Sequence, residues 1–131
     1  MIRGKFVIGD KYLQGVMGDN EKIGLVKIDV EGHESSVIRG LFSTLKEHKP
    51  LVLFEALNRN AAETASEELK RCGYKSFYQL GPILISEKSE AKRLIHRLLV
   101  GTDLFLQEIR QFHDIEYNMI LATTNELSIS I

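Results

Sequence analysis

Apolar and polar positions alternate along this chain in two rhythms, and the rhythm changes every ten to fifteen residues. Ile23 to Val30 is rich in β-branched residues and almost continuously apolar, apart from Gly24, Lys27 and Asp29. That pattern predicts an interior parallel strand covered on both faces. Val37, Ile38, Leu41, Phe42 and Leu45 then recur at helical spacing, which predicts one amphipathic helix over 34–47. Gly40 weakens it by about 1 kcal/mol relative to Ala, and would allow close packing. After Pro50, Leu51 to Phe54 reads as a second buried strand, ending at Glu55.

Asn60 and Glu63 have capping-box spacing, and Ala61, Ala62, Ala65, Leu69 and Cys72 line one side of a helix over 61–72. Gly73 stands where a C-cap glycine belongs. Tyr74 to Leu80 and Ile83 to Ile85 flank Gly81-Pro82, as in a hairpin or bent strand. Ala91, Leu94, Ile95, Leu98 and Leu99 mark a further helix, Thr102 can cap another running to about Phe112, and Tyr117 to Ala122 is a last strand. At the start, Lys5 to Ile8 could form a short strand, and Asp10 opens a helical turn with Tyr12, Leu13, Val16 and Met17 on its apolar side. Alternation of β and α at these lengths predicts an α/β fold, a mostly parallel sheet with helices packed on it and a crossover between the two central strands.

The chain has 131 residues, 44% of them hydrophobic, and a net charge of -1 with both signs interspersed. It is long enough for one domain with a real core, taken as 1–131, and is not of disordered composition. No basic face suggests nucleic-acid binding. The densest cationic stretch, Lys92, Arg93, His96 and Arg97, reads as a solvated helix face. Cys72 is the single cysteine, so neither a disulfide nor a thiolate metal site can form within the chain, and a buried inert thiol is expected. No run reaches the ~18 apolar residues of a membrane span, and no signal peptide is evident. The expectation is a cytoplasmic protein with no membrane or nucleic-acid partner.

The candidate chemistry sits at the ends of the two buried strands, where open α/β sheets collect their sites. Leu25-Val-Lys-Ile-Asp-Val-Glu-Gly-His-Glu34 delivers Asp29 and Glu31 there, with Gly32 opening a turn that other residues could not make. Asp29 can take a proton from an acceptor hydroxyl or orient it; it can equally cap the following turn. Glu31 divides evenly between substrate contact and loop structure. Glu34, at the helix start, suits a structural role beside the helix dipole. His33 is a candidate base, because a helix N-terminus keeps its imidazole neutral. His48 and His96 read as surface helix residues and His113 as a loop residue. Glu55 and Asn58, from the neighbouring strand end, are candidate substrate-binding groups. With Asp29 they make an oxygen-donor set of the kind Mg²⁺ takes.

The run Val26 to Glu34, the Val-Ile-Arg-Gly of the following helix and Pro50-Leu-Val-Leu-Phe-Glu55 together resemble the FkbM methyltransferases, over roughly residues 5 to 123. The resemblance implies a class I, Rossmann-like methyltransferase sheet in which Ile23 to Val30 is the fourth strand and Leu51 to Phe54 the fifth. Residues 117–122 would insert antiparallel between the fifth and sixth. It implies S-adenosyl-L-methionine as cofactor and a small-molecule hydroxyl acceptor, a sugar or secondary metabolite, with no resident metal.

The family holds its cofactor on an acidic, glycine-rich turn after the first strand and an acid after the second. Gly15 and Gly18 do not replace that turn, since no strand precedes them and no long helix follows. The chain therefore reads as the C-terminal half of such an enzyme, incomplete on its own. The edge of Leu25 to Val30 would be left open for self-association or for an N-terminal half. A non-catalytic interaction module and a truncated gene fragment stay open as alternatives.

Overall fold

The computed structural model describes residues 7–81 and 105–127. Its elements run α1 (Gly9–Val16), β1 (Leu25–Ile28), α2 (Glu34–Gly40), α3 (Phe42–His48), β2 (Leu51–Ala56), α4 (Arg59–Arg71), β3 (Ser76–Gly81), β4 (Phe105–Glu108) and β5 (Tyr117–Thr123). The strands form a five-stranded sheet in the order β1-β2-β5-β3-β4. β1 and β2 are parallel, in the register Leu25 to Leu51 through Ile28 to Phe54, and α2 and α3 form the crossover between them. β5 inserts antiparallel between β2 and β3, as the family resemblance implied.

The sheet is mixed, not mostly parallel: β1–β2 is its one parallel pair among the described strands, because β4 also pairs antiparallel with β3. β4 replaces part of the helix expected up to Phe112. Leu106 and Gln107 pair with Leu80 and Gln79, and the Ile109 N–H continues the ladder to the Phe77 carbonyl at 2.7 Å. Sheet pairing outweighs the local helical spacing there. The expected strand at 83–85 and helix at 91–99 lie outside the described residues. Residues 5 and 6 do as well, and Val7 and Ile8 are irregular chain leading into α1.

Among the described strands β1 lies at the edge of the sheet, and it is not covered on both faces. Along β1 and β2 the exposure alternates: Ile28, Val52, Phe54 and Ala56 are buried beneath the helices, whereas Leu25 and Leu51 on the other face are 56% and 41% exposed. The core lies between the sheet and the helices. α4 contributes Ala62, Ala65, Ser66 and Leu69 to it at helical spacing, and α2 contributes Ile38. Glu68 of α4, almost buried, is approached by Arg39 of α2 at 3.7 Å and by Arg71 at 3.4 Å. Tyr74, buried after α4, donates its hydroxyl to the Pro50 carbonyl at 2.6 Å and so fixes the entry to β2.

Three local expectations are corrected. The helix over 34–47 is broken at Leu41 into α2 and α3. The new N-terminus is capped from a distance: the Asp10 carboxylate accepts the Ser43 N–H at 2.8 Å and the Thr44 N–H at 2.9 Å. α1 approaches closely at that point, and a Cβ on Gly9 would overlap the Leu41 side chain. Second, α4 is capped by Asn58, whose Oδ1 accepts the Ala61 N–H at 3.0 Å; Asn60 lies inside the helix. Third, His48 is half-buried, its Nδ1 accepting the Ile23 N–H at 3.3 Å just before β1. The C-terminal end of α4 follows expectation. Gly73 has φ 98°, and the Gly73 and Tyr74 N–H groups return to the Lys70 and Leu69 carbonyls, a Schellman ending.

Candidate functional site

The parallel pairing of β1 and β2 determines what meets at their carboxyl ends. Carried one position past Ile28–Phe54, the register sets Asp29 beside Glu55. Both carboxylates are exposed, on the face away from the helices. Asp29 accepts an ion pair from Lys27 at 3.1 Å, two residues back on the same face of the strand. Among the described residues it caps nothing, and the structural role weighed for it falls to another residue.

That residue is Glu34. It is 4% exposed, and its Oε1 accepts the Gly32 N–H at 3.0 Å. Gly32 has φ 76°, the left-handed conformation expected of it. The His33 N–H bonds the Val30 carbonyl at 3.3 Å, and the His33 carbonyl accepts the Ser36 and Val37 N–H groups. His33 is thus the N-cap of α2 through its backbone; its imidazole is exposed and makes no capping bond. Glu31 is exposed at the head of the same turn.

On the β2 side, Asn58 closes the cluster. Its Oδ1 is engaged by the α4 cap, which leaves its amide N–H₂ to donate. Arg59 follows it and is held by Glu63 at 2.7 Å. That hydrogen bond and the Glu63 charge stabilise the guanidinium and raise its proton affinity further.

The structure adds two features that periodicity did not reveal. β5 bulges opposite Glu55: Ile120 pairs with Phe54 and Tyr117 with Ala56, so Asn118 and Met119 together face one residue of β2. Bulges re-aim side chains at sheet ends. The bulge brings the exposed amide of Asn118 beside Glu55. The loop before β5 is also fixed to the sheet, since the Tyr117 hydroxyl accepts the His113 N–H at 2.7 Å and Phe112 packs edge-on against Phe77 and Tyr117. Among the described residues, no group of three or more His, Cys, Asp or Glu comes together in a way that could hold a metal ion.

Cys72 is buried, and desolvation, with the Glu68 charge second, pushes its thiol up, so it is the inert core residue expected. A cleft of about 540 Å³ lies elsewhere, between the 17–22 loop and α3, lined by Leu13, Met17, Lys22, Thr44, Glu47 and His48. It touches none of the strand-end carboxylates. No helix among the described residues is long and apolar enough to cross a membrane.

A mixed α/β layer with oxygen donors collected at the carboxyl ends of a parallel pair is consistent with a methyltransferase fold. The comparison with known families makes that class specific. The profile of the methyltransferase FkbM domain matches residues 10–76, just over half of the 131 residues, so the chain belongs to the FkbM methyltransferase family. The match runs from Asp10 to the first residue of β3 and includes Asp29, Glu31, His33, Glu55 and Asn58. Neither the curated proteins nor the solved structures hold a match to the chain.

Proposed function

We propose that this domain supplies the acceptor side of an S-adenosyl-L-methionine-dependent methyl transfer to a hydroxyl oxygen. The observation that carries the reading is the convergence of Asp29 and Glu55 at the carboxyl ends of the parallel β1–β2 pair, inside the segment that matches the FkbM family. A hydroxyl held against one of these carboxylates becomes a better nucleophile as its proton passes to the carboxylate oxygen. Asp29 is the preferred acceptor of that proton. Lys27 pairs with it at 3.1 Å until an acceptor displaces the pair. In this reading Glu31, Glu55, the Asn58 amide and the His33 imidazole bind the rest of a polyhydroxylated acceptor, such as a sugar or a secondary metabolite.

The described residues do not by themselves fit the cofactor. No strand, glycine turn and helix unit precedes β1 among them, and Gly15 lies within α1. The grip on the cofactor therefore falls to a segment that pairs with the free edge of β1. Two observations among the described residues support this: β1 has a strand partner on one side only, and Ile8, Tyr12 and Val16, four residues apart on and before α1, expose 53%, 57% and 58% of their surfaces. That apolar stripe belongs to a helix that packs on α2 and α3, the crossover between β1 and β2.

The test is transfer of a labelled methyl group from S-adenosyl-L-methionine to a panel of hydroxyl compounds. Wild-type product that falls about 100-fold or more in Asp29→Asn, at unchanged melting temperature, supports the reading. Equal turnover in the two proteins removes Asp29 from the chemistry. The free edge also favours a second reading, a non-catalytic module that binds a partner strand. A stable partner strand on β1, with no methyl transfer in its presence, selects that alternative.

A further inference from the structure

We propose that Glu34 is a positioning residue, a clamp that fixes the turn from Glu31 to His33 and thereby the direction of both side chains. The proposal rests on the reading of this strand end as the methyl-transfer site. A carboxyl group that is 4% exposed needs a reason, because burying a polar group is costly unless it is hydrogen-bonded. Asp29, Glu31 and Glu55 are exposed, so Glu34 is the one carboxylate of the strand ends that the fold itself encloses.

Its Oε1 reaches back two residues to the Gly32 N–H at 3.0 Å. Gly32 is in the left-handed region at φ 76°, where its N–H could not serve a continuous strand or helix. Without Glu34, glycine at that position has several conformations of similar energy. With the bond made, one is selected, and Glu31 and His33 leave the turn in fixed directions. The α2 N-cap makes no side-chain bond of its own, so nothing local substitutes for this clamp. Pre-organisation of this kind is what a site on a turn requires to hold a reacting group in place.

The test compares ¹⁵N-labelled wild type, Glu34→Gln and Glu34→Ala. Amide hydrogen exchange is read at Gly32 and, as an internal control, at Ile38 in the middle of α2. Glu34→Ala is expected to speed exchange at Gly32 about tenfold while Ile38 stays protected. Glu34→Gln, whose amide oxygen accepts the same bond, is expected to stay within about twofold of wild type. Unchanged exchange at Gly32 in Glu34→Ala, or equal loss at Gly32 and Ile38, would overturn the clamp.

The same samples are titrated with the hydroxyl compounds of the acceptor panel, sugars among them. Ligand-induced shifts at residues 29–34 that persist in Glu34→Gln and weaken about tenfold in Glu34→Ala support positioning of the site. Equal shifts in all three proteins reduce Glu34 to a loop residue. If wild type shows no ligand-induced shift at all, the methyl-transfer reading fails, while the exchange result still decides whether Glu34 clamps the turn.

Discussion

Asp10 joins two segments that lie more than thirty positions apart in sequence. Its carboxylate takes the place of a local N-cap on α3, which has Leu41 at that position and no capping side chain. Burial opposes ionisation of this carboxyl, but the hydrogen bonds from Thr44 and Ser43 outweigh it and the net effect is a lowered proton affinity. Because the folded value lies below the unfolded one, the stabilisation is fully present above the ordinary carboxylate range. It is lost as pH falls through the folded value. Asp10→Asn is therefore expected to lower stability at neutral pH by ~1 kcal/mol and to flatten the acid limb of the stability profile, as followed by urea unfolding from pH 2 to 7. A parallel acid limb in the variant would assign the pH dependence to another group. Ser66 gives the opposite case. It is 1% exposed and its hydroxyl has no hydrogen-bond partner among the described residues, so Ser66→Ala is expected to be neutral or stabilising by up to ~1 kcal/mol in the same measurement.

At the scale of the elements, the caps decide where helices start, and they show what a linear reading can reach. Asn58 caps α4, so Asn58→Ala should cost ~1 kcal/mol in thermal or urea unfolding, whereas Asn60→Ala, inside the helix, should change it by no more than a few tenths. The reverse order would restore the Asn60 capping box. β2, α4, the Gly73 ending and β5 were legible because each is specified by its own residues: a period, a turn glycine, a β-branched run. The break at Leu41 was not, since its cap comes from Asp10 and its crowding from Gly9. β4 was not legible for a related reason. Its pairing with β3 comes from residues far along the chain and overrides the local period. The candidate site divides in the same way. The run from Asp29 to Glu34 and the pair Glu55 and Asn58 could be picked out one residue at a time. The Glu34 bond to Gly32, the Lys27 bond to Asp29 and the bulge at Asn118 and Met119 depend on how the chain turns.

For the molecule as a whole, the fold leaves surface that a stable monomer rarely exposes. Among the described residues, β1 is unpaired along one edge, Leu25 and Leu51 are exposed beside it, and the α1 stripe is uncovered. Open apolar edges invite pairing. The isolated chain is expected to self-associate in sedimentation velocity, with the sedimentation coefficient rising with concentration. A clean monomer with a high melting temperature would count against this. The proposed function makes the same edge the side on which the cofactor would be gripped, and the acceptor-side carboxylates the part of the site that the described residues would carry. The most direct test of that claim is to titrate the folded, ¹⁵N-labelled chain with the hydroxyl compounds of the acceptor panel, sugars among them, and map the amide shifts. The account predicts shifts concentrated at residues 29–34 and 55–58, even where binding is as weak as ~1 mM. Shifts confined to the cleft between the 17–22 loop and α3, or none anywhere at millimolar ligand, would contradict it.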